Sequence, residues 1–173
     1  MIYEKMIPLL TLILVFASCG DTTGISLPVL PHNPVNECWK ALENFEYSYN
    51  TLDIPLLTAT LDQEFQWVLA EKDWDDYNGD GIIDSSFTRD MYLSFSSDLF
   101  ADAETVELTL DGSGEEVWSG DTTGQTMVCV RSFTLKVDYP GKARTISYGE
   151  WSILVRPDST DDWNLFRVTD ITE

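Results

Sequence analysis

From Pro34 onward the apolar residues of the chain fall into periods. Val35, Cys38, Trp39, Leu42, Phe45, Tyr49 and Leu52 recur at spacings of three and four, with Glu37, Lys40, Glu43 and Asn44 between them. That spacing predicts one amphipathic helix, with Asn33 as N-cap and Pro34 at the first helical position. Asp53 is placed to cap a second, short helix over 54–61, whose Pro55 is tolerated in the first turn. Phe65, Trp67 and Leu69 then alternate with Gln66 and Val68, a strand signal. Ser85 or Ser86 is placed to cap a third helix carrying Phe87, Met91, Phe95, Leu99 and Phe100.

After Phe100 the period shortens to two. Val106, Leu108 and Leu110 alternate with Glu107 and Thr109, and a Gly-rich turn region follows over 111–124. Long runs rich in Val, Thr and aromatics over 125–139, 142–156 and 163–172 predict three further strands. Three helices followed by long strands define an α+β fold, with the helices on one face of a curved antiparallel sheet.

Before Pro34 the pattern is different. Residues 6–16 (MIPLLTLILVF) form an apolar run behind Lys5, too short for the roughly 20 residues that cross a bilayer. Ala17, Ser18 and Cys19 close it, as in a cleavable export signal. Small residues directly before a Cys resemble the bacterial lipoprotein signal, although Phe16 stands where Leu is usual and Glu4 weakens the positive start. The resemblance implies a signal peptide at 1–18, a lipid on Cys19, a flexible tether over 19–33 and a folded domain over 34–173. The membrane is then the partner through that lipid, at the cell envelope. An ordinary secretory signal with a coincidental Cys is the alternative. His32, the chain's only histidine, sits in the tether between Pro31 and Asn33 and is expected to be solvated. Export leaves two readings of Cys38 and Cys129: a disulfide across a long loop, or two buried thiols acting as small hydrophobes.

The segments LENFEYSYNTLDIPLLTATLDQEFQW and WNLFRVTDIT, with FTRDMYLSFSSDLF and ETVELTL between them, resemble the nuclear-transport-factor-two-like superfamily, also called SnoaL-like or cystatin-like cone folds. The likeness covers residues 35–172 and implies a cone-shaped pocket between the first helix and the concave sheet. Members include ketosteroid isomerases and scytalone dehydratases as well as proteins that only bind or dimerise. A small apolar ligand and a second copy of the chain are the partners this implies. Tyr49, Arg131, Glu150 and Arg167 are polar residues in apolar-rich segments, so they are the pocket candidates, with Arg131 also suited to pair across strands with Glu107 or Glu150.

Composition narrows the function. The 173 residues carry 30 acidic against 10 basic side chains, a formal net charge of −20, which argues against nucleic acid as a partner. Aromatics at 12%, with six Trp, argue for a folded core over a disordered acidic tail. No G-x-S-x-G, phosphate-binding loop or H-E-x-x-H occurs, and no residue matches an isomerase acid–base motif, so no catalytic residue is assigned. The reading that follows is a noncatalytic, lipid-anchored binding or interaction domain. Its alternative is an isomerase- or dehydratase-like enzyme using polar residues in the cone.

One motif stands apart. In DWDDYNGDGIIDSS, Asp76, Asn78, Asp80 and Asp84 fall at positions one, three, five and nine of an EF-hand-like loop. Gly81 takes the sharp turn and Ile82 offers its carbonyl. Calcium is the cofactor this implies. Phe87 occupies position twelve, where an acid normally completes the shell, and Asp-rich turns are also ordinary connectors.

Overall fold

The computed structural model describes residues 32–77, 79–112, 119–120 and 126–172. The leader, Cys19 and Asn78 lie outside the described residues. Helix α1 (Cys38–Asn50) and helix α2 (Ile54–Thr60) come first, followed by strand β1 (Leu61–Val68) and a short 3-10 turn at Glu71–Asp73. Strand β2 (Ser86–Thr88), helix α3 (Arg89–Asp102) and strands β3 (Thr105–Asp111), β4 (Ser119–Gly120), β5 (Met127–Asp138), β6 (Thr145–Pro157) and β7 (Trp163–Asp170) complete the order. The sheet runs β2-β1-β7-β6-β5-β3, with β4 paired to β5. The fold is α+β, three N-terminal helices packed on a curved sheet.

One local prediction holds to the residue. Asp53 Oδ1 accepts the Leu56 N–H at 2.8 Å, so α2 starts where its cap and Pro55 direct it. The turn between α1 and α2 closes through the Asp53 N–H, which donates to Ser48 O at 2.8 Å. Helix α1, by contrast, begins later than Asn33 and Pro34 suggest. Residues 32–37 are a strap instead: the Val35 N–H donates to Asp162 Oδ1 (2.8 Å), and Val35 O accepts from the Trp163 N–H (2.8 Å). With its backbone spent on the β7 end, Val35 cannot enter the helical ladder. His32 is not solvated either. Its N–H donates to Asn44 Oδ1 (2.7 Å), its carbonyl accepts from Asn44 Nδ2 (3.0 Å), and its ring meets the Trp39 edge and Glu43.

The sheet is mixed rather than antiparallel throughout. Strand β1 pairs antiparallel with β2 but parallel with β7, Trp67 opposite Val168. The first and last strands meet only after the chain has gone round the whole sheet, a long crossover of the kind parallel pairing requires. Ser86–Thr88 extend the edge as β2, so the third helix is capped by Thr88, not Ser85 or Ser86.

The core lies between the helices and the inner sheet face. Leu42 and Phe45 of α1, Leu57 of α2, Phe65 of β1, Leu108 of β3, Phe133 of β5, Ile153 and Val155 of β6, and Leu165 and Val168 of β7 are all buried in it. Each such side chain contributes about 1.5–3 kcal/mol relative to exposure. On α3 the buried line is Tyr92, Ser96 and Phe100, an i, i+4, i+8 stripe turned away from Met91 and Phe95. Phe95 is an exposed residue. The helix buries hydroxyls where the more apolar stripe was expected, because those hydroxyls find partners inside.

Candidate active site

Tyr49 of α1 and Tyr92 of α3 meet inside the core. Their hydroxyls are hydrogen-bonded to each other, and Tyr49 Oη lies 3.4 Å from Ser96 Oγ. All three side chains are buried. Burial pushes the Tyr49 phenol up, against the pull of its bonds to Ser96 and Tyr92. Burial and then the neighbouring Tyr49 hold Tyr92 well above the ordinary phenol value. Both therefore stay protonated, and act as donors, across the physiological range.

An aromatic wall runs from this pair along the inner sheet face. Trp67 stacks on Tyr92 with ring centroids 5.0 Å apart, and stands edge-on to Trp151 at 4.8 Å. Phe133 lies flat on Trp151 at 3.9 Å. Gly149, opposite Phe133, makes room for this: a Cβ there would sit 2.9 Å from Phe133 Cε1 and 1.9 Å from Thr172 Oγ1. Arg131 of β5 and Asp170 of β7 are the register partners of Trp151 on either side. Directly opposed residues share a face, so a guanidinium and a carboxylate flank the indole on the inner surface. Arg131 is buried, and Asp170 Oδ1 accepts the Thr172 N–H at 2.9 Å.

Of the four pocket candidates, the structure brings two inside. Tyr49 and Arg131 face the core. Glu150 does not: it is exposed and pairs with Ser132, one residue out of phase with Trp151, so the strand period puts it on the outer face. Arg167 is also on the outer side, opposite Leu154 and bonded through Nη2 to Gln66 Oε1 at 2.9 Å. Arg131 accordingly pairs with neither Glu107 nor Glu150; Glu107 is held by Lys136 at 2.9 Å on the outer face. Tyr92, Ser96, Trp151 and Asp170 were not anticipated. The tyrosine and serine were readable as an i, i+4 pair, and Asp170 as the one acid ending the last strand.

The other candidates stand elsewhere. Cys38 is half-buried at the start of α1, and Cys129 is buried in β5. A cavity of about 250 Å³ lies between the strap and α2, but its polar groups serve the strap: Asn44 holds His32 and Asp162 holds Val35. In the Asp-rich loop, Asp76 Oδ1 accepts from Gly79 and Asp80 and its Oδ2 from Gly81, at 2.8–3.0 Å. Asp80 Oδ1 accepts from Ile82 (2.8 Å) and Asp84 Oδ2 from Tyr77 (3.2 Å). Among the described residues no three His, Cys, Asp or Glu side chains are grouped to hold a metal.

No family model matches the chain, and no curated protein matches it. Solved structures do. A candidate scytalone dehydratase from Novosphingobium aromaticivorans superposes with a TM-score of 0.61 at 11% identity, over 78% of this chain and 80% of that one. A nuclear-transport-factor-two-like superfamily protein from Salmonella enterica gives 0.55 at 11%, over 77% and 86%. A hexachlorocyclohexane dehydrochlorinase gives 0.56 at 5%, over 77% and 80%. At such identities the likeness carries the fold, which is the cone fold of the nuclear-transport-factor-two-like proteins. It also corrects the noncatalytic reading, because the structures that share this cone include proteins named for the reactions they catalyse.

Proposed function

We propose that the chain is an enzyme of the proton-transfer kind, catalysing a dehydratase-like elimination on a small, largely apolar substrate held against the aromatic wall. The observation that carries this reading is the buried Tyr49–Tyr92–Ser96 hydroxyl cluster, adjoining a wall of stacked rings with a carboxylate at its end. The names of the dehydratase and dehydrochlorinase, both elimination enzymes, favour elimination over other proton transfers. In this reading Asp170 takes the proton from carbon, and the electron pair released forms the new carbon–carbon double bond. The departing hydroxide takes a proton from the Tyr92 phenol and leaves as water, with Tyr49 and Ser96 sharing the resulting phenolate charge. The proton on Asp170 then returns to the phenol through water.

The test uses cyclic β-hydroxy ketones and follows enone absorbance. Tyr92→Phe and Asp170→Asn should each lower kcat by about 10²–10⁴-fold while the circular dichroism of the fold is unchanged. A wild-type rate equal to the uncatalysed one, or a rate indifferent to both substitutions, overturns the proposal. Anchoring at the cell envelope through a lipid on Cys19 belongs to the same reading; it rests on the leader pattern ending in Ala17, Ser18 and Cys19.

A further inference from the structure

Of the nine large apolar side chains exposed among the described residues, five belong to the loop between β1 and β2 and to α3: Trp74, Tyr77, Ile82, Ile83 and Phe95. Single exposed apolar residues are ordinary, but a group of them marks a surface that another molecule covers. Ring contacts tie the loop to the helix. Tyr77 stands edge-on to Phe87 of β2 at 4.9 Å and to Phe95 of α3 at 6.0 Å, and Phe87 lies 4.9 Å from Phe95. Phe87 reaches the core, whereas Tyr77 and Phe95 are exposed. The loop has a defined shape. Asp75 and Asp84 form a backbone bridge across it, the Tyr77 N–H donates to Asp84 Oδ2 (3.2 Å), and the Tyr77 hydroxyl donates to Asp73 O (2.6 Å). On this frame Ile82 and Ile83 stand 66% and 59% exposed.

The charge around these side chains has one sign. Residues 73–88 hold Asp73, Asp75, Asp76, Asp80 and Asp84 with no Lys or Arg, and Asp98 lies one turn beyond Phe95 on α3. Burial and then the charges of Asp73 and Asp75 push the Tyr77 phenol up, so the field at the ring itself is negative. We infer that this face docks a basic amphipathic segment of another protein, one that sets large apolar side chains among lysines or arginines. The apolar centre supplies the affinity, and the aspartates set the sign of the partner. The same charge argues against the other occupants. A two-fold pair of copies would bring the same aspartates together, and anionic lipid or nucleic acid would meet them with like charge. The surface is separate from the hydroxyl cluster, because Tyr92 and Ser96 of α3 turn inward where Phe95 turns out. Docking therefore neither needs nor tests the proposed elimination.

The experiment titrates ¹⁵N-labelled protein with a peptide of repeated Leu-Lys-Lys-Leu units. An all-lysine peptide and one of repeated Leu-Glu-Glu-Leu units are the controls. The basic amphipathic peptide should move the signals of Trp74, Tyr77, Ile83 and Phe95. Ile82→Ser and Ile83→Ser, changed where more than half of each residue is in solvent, should keep the melting temperature and each weaken binding by about tenfold. Tyr148→Ser, at an exposed position on the outer sheet face, should leave binding unchanged. Equal affinity for the all-lysine peptide, or shifts spread over the acidic surface and indifferent to both isoleucine changes, would reduce the contact to net charge and overturn the inference. A concentration-dependent dimer that Ile83→Ser dissociates would overturn it in favour of a second copy. Binding to zwitterionic lipid vesicles that Ile83→Ser abolishes would overturn it in favour of a membrane.

Discussion

The Asp76 carboxylate accepts from three backbone N–H groups, those of Gly79, Asp80 and Gly81. A carboxylate offers about four lone-pair directions, so three are already used in folding the turn. Gly79 and Gly81 both lie at positive φ, where a side chain would be strained, which is why the loop needs them. At position twelve Phe87 is a strand residue opposite Trp67, packed against Tyr77 and Phe95, and supplies no oxygen. The residue types that fit a calcium pattern also fold a turn, with Asp76, Asp80 and Asp84 each bonded to backbone N–H groups. Asp76→Ala should destabilise the fold by about 1 kcal/mol, the typical worth of a lost cap. Millimolar calcium should leave the melting temperature of the wild type unchanged. A calcium-dependent rise, absent in Asp76→Ala, would assign the loop to ion binding.

At the scale of elements, what was legible depended on whether the deciding contacts were local. Helix α2 followed from Asp53 and Pro55, and β5, β6 and β7 from runs rich in Val, Thr and aromatics, because caps and strand propensity are written within a few residues. The rotation of α3 was not, since Tyr92 and Ser96 turn inward only to meet Tyr49, more than forty residues away. The start of α1 was hidden for the same reason, in a bond from Val35 to Asp162. Trp39, expected on the core face, packs on His32 outside it. The parallel β1–β7 pairing is likewise non-local, and its clamp is Arg156. This guanidinium passes 4.0 Å over the Phe166 ring of β7 to make two bonds to Asp62 on β1, at 2.8 and 2.7 Å. Burial raises the Asp62 carboxyl, but Arg156 and the Glu64 N–H outweigh it, and the net direction is below the ordinary value of 3.8. Ionised Asp62 therefore stabilises the fold above that value, and the contribution is lost as pH falls through the lower folded one. Arg156→Met should cost about 2 kcal/mol at pH 7, since it strands a buried carboxylate beside a half-exposed partner. Urea unfolding at pH 7 and again near pH 2 checks this; the gap between variant and wild type should close at the acid end, and a gap independent of pH would assign the loss to packing alone.

The whole molecule sets its net charge of −20 against any membrane it approaches. Anionic headgroups repel such a domain, and among the described residues no helix is long and apolar enough to cross a bilayer. The lipid proposed on Cys19 would supply a hydrophobic attachment that this charge does not oppose. One acyl chain gives only marginal binding, so a firm anchor requires two or more on that cysteine. These conditions make the anchoring proposal separable from its rivals by phase partition of the protein expressed from its whole sequence in a bacterial host. The wild type should enter the detergent phase at low and high salt alike, because a lipid's transfer is insensitive to screening. Cys19→Ala should move to the aqueous phase or remain as an uncleaved precursor, and mass spectrometry of the wild type should find the acyl mass on a chain beginning at Cys19. A mature chain beginning elsewhere, without lipid, would instead make residues 1–18 an ordinary export signal and release the acidic domain from the membrane.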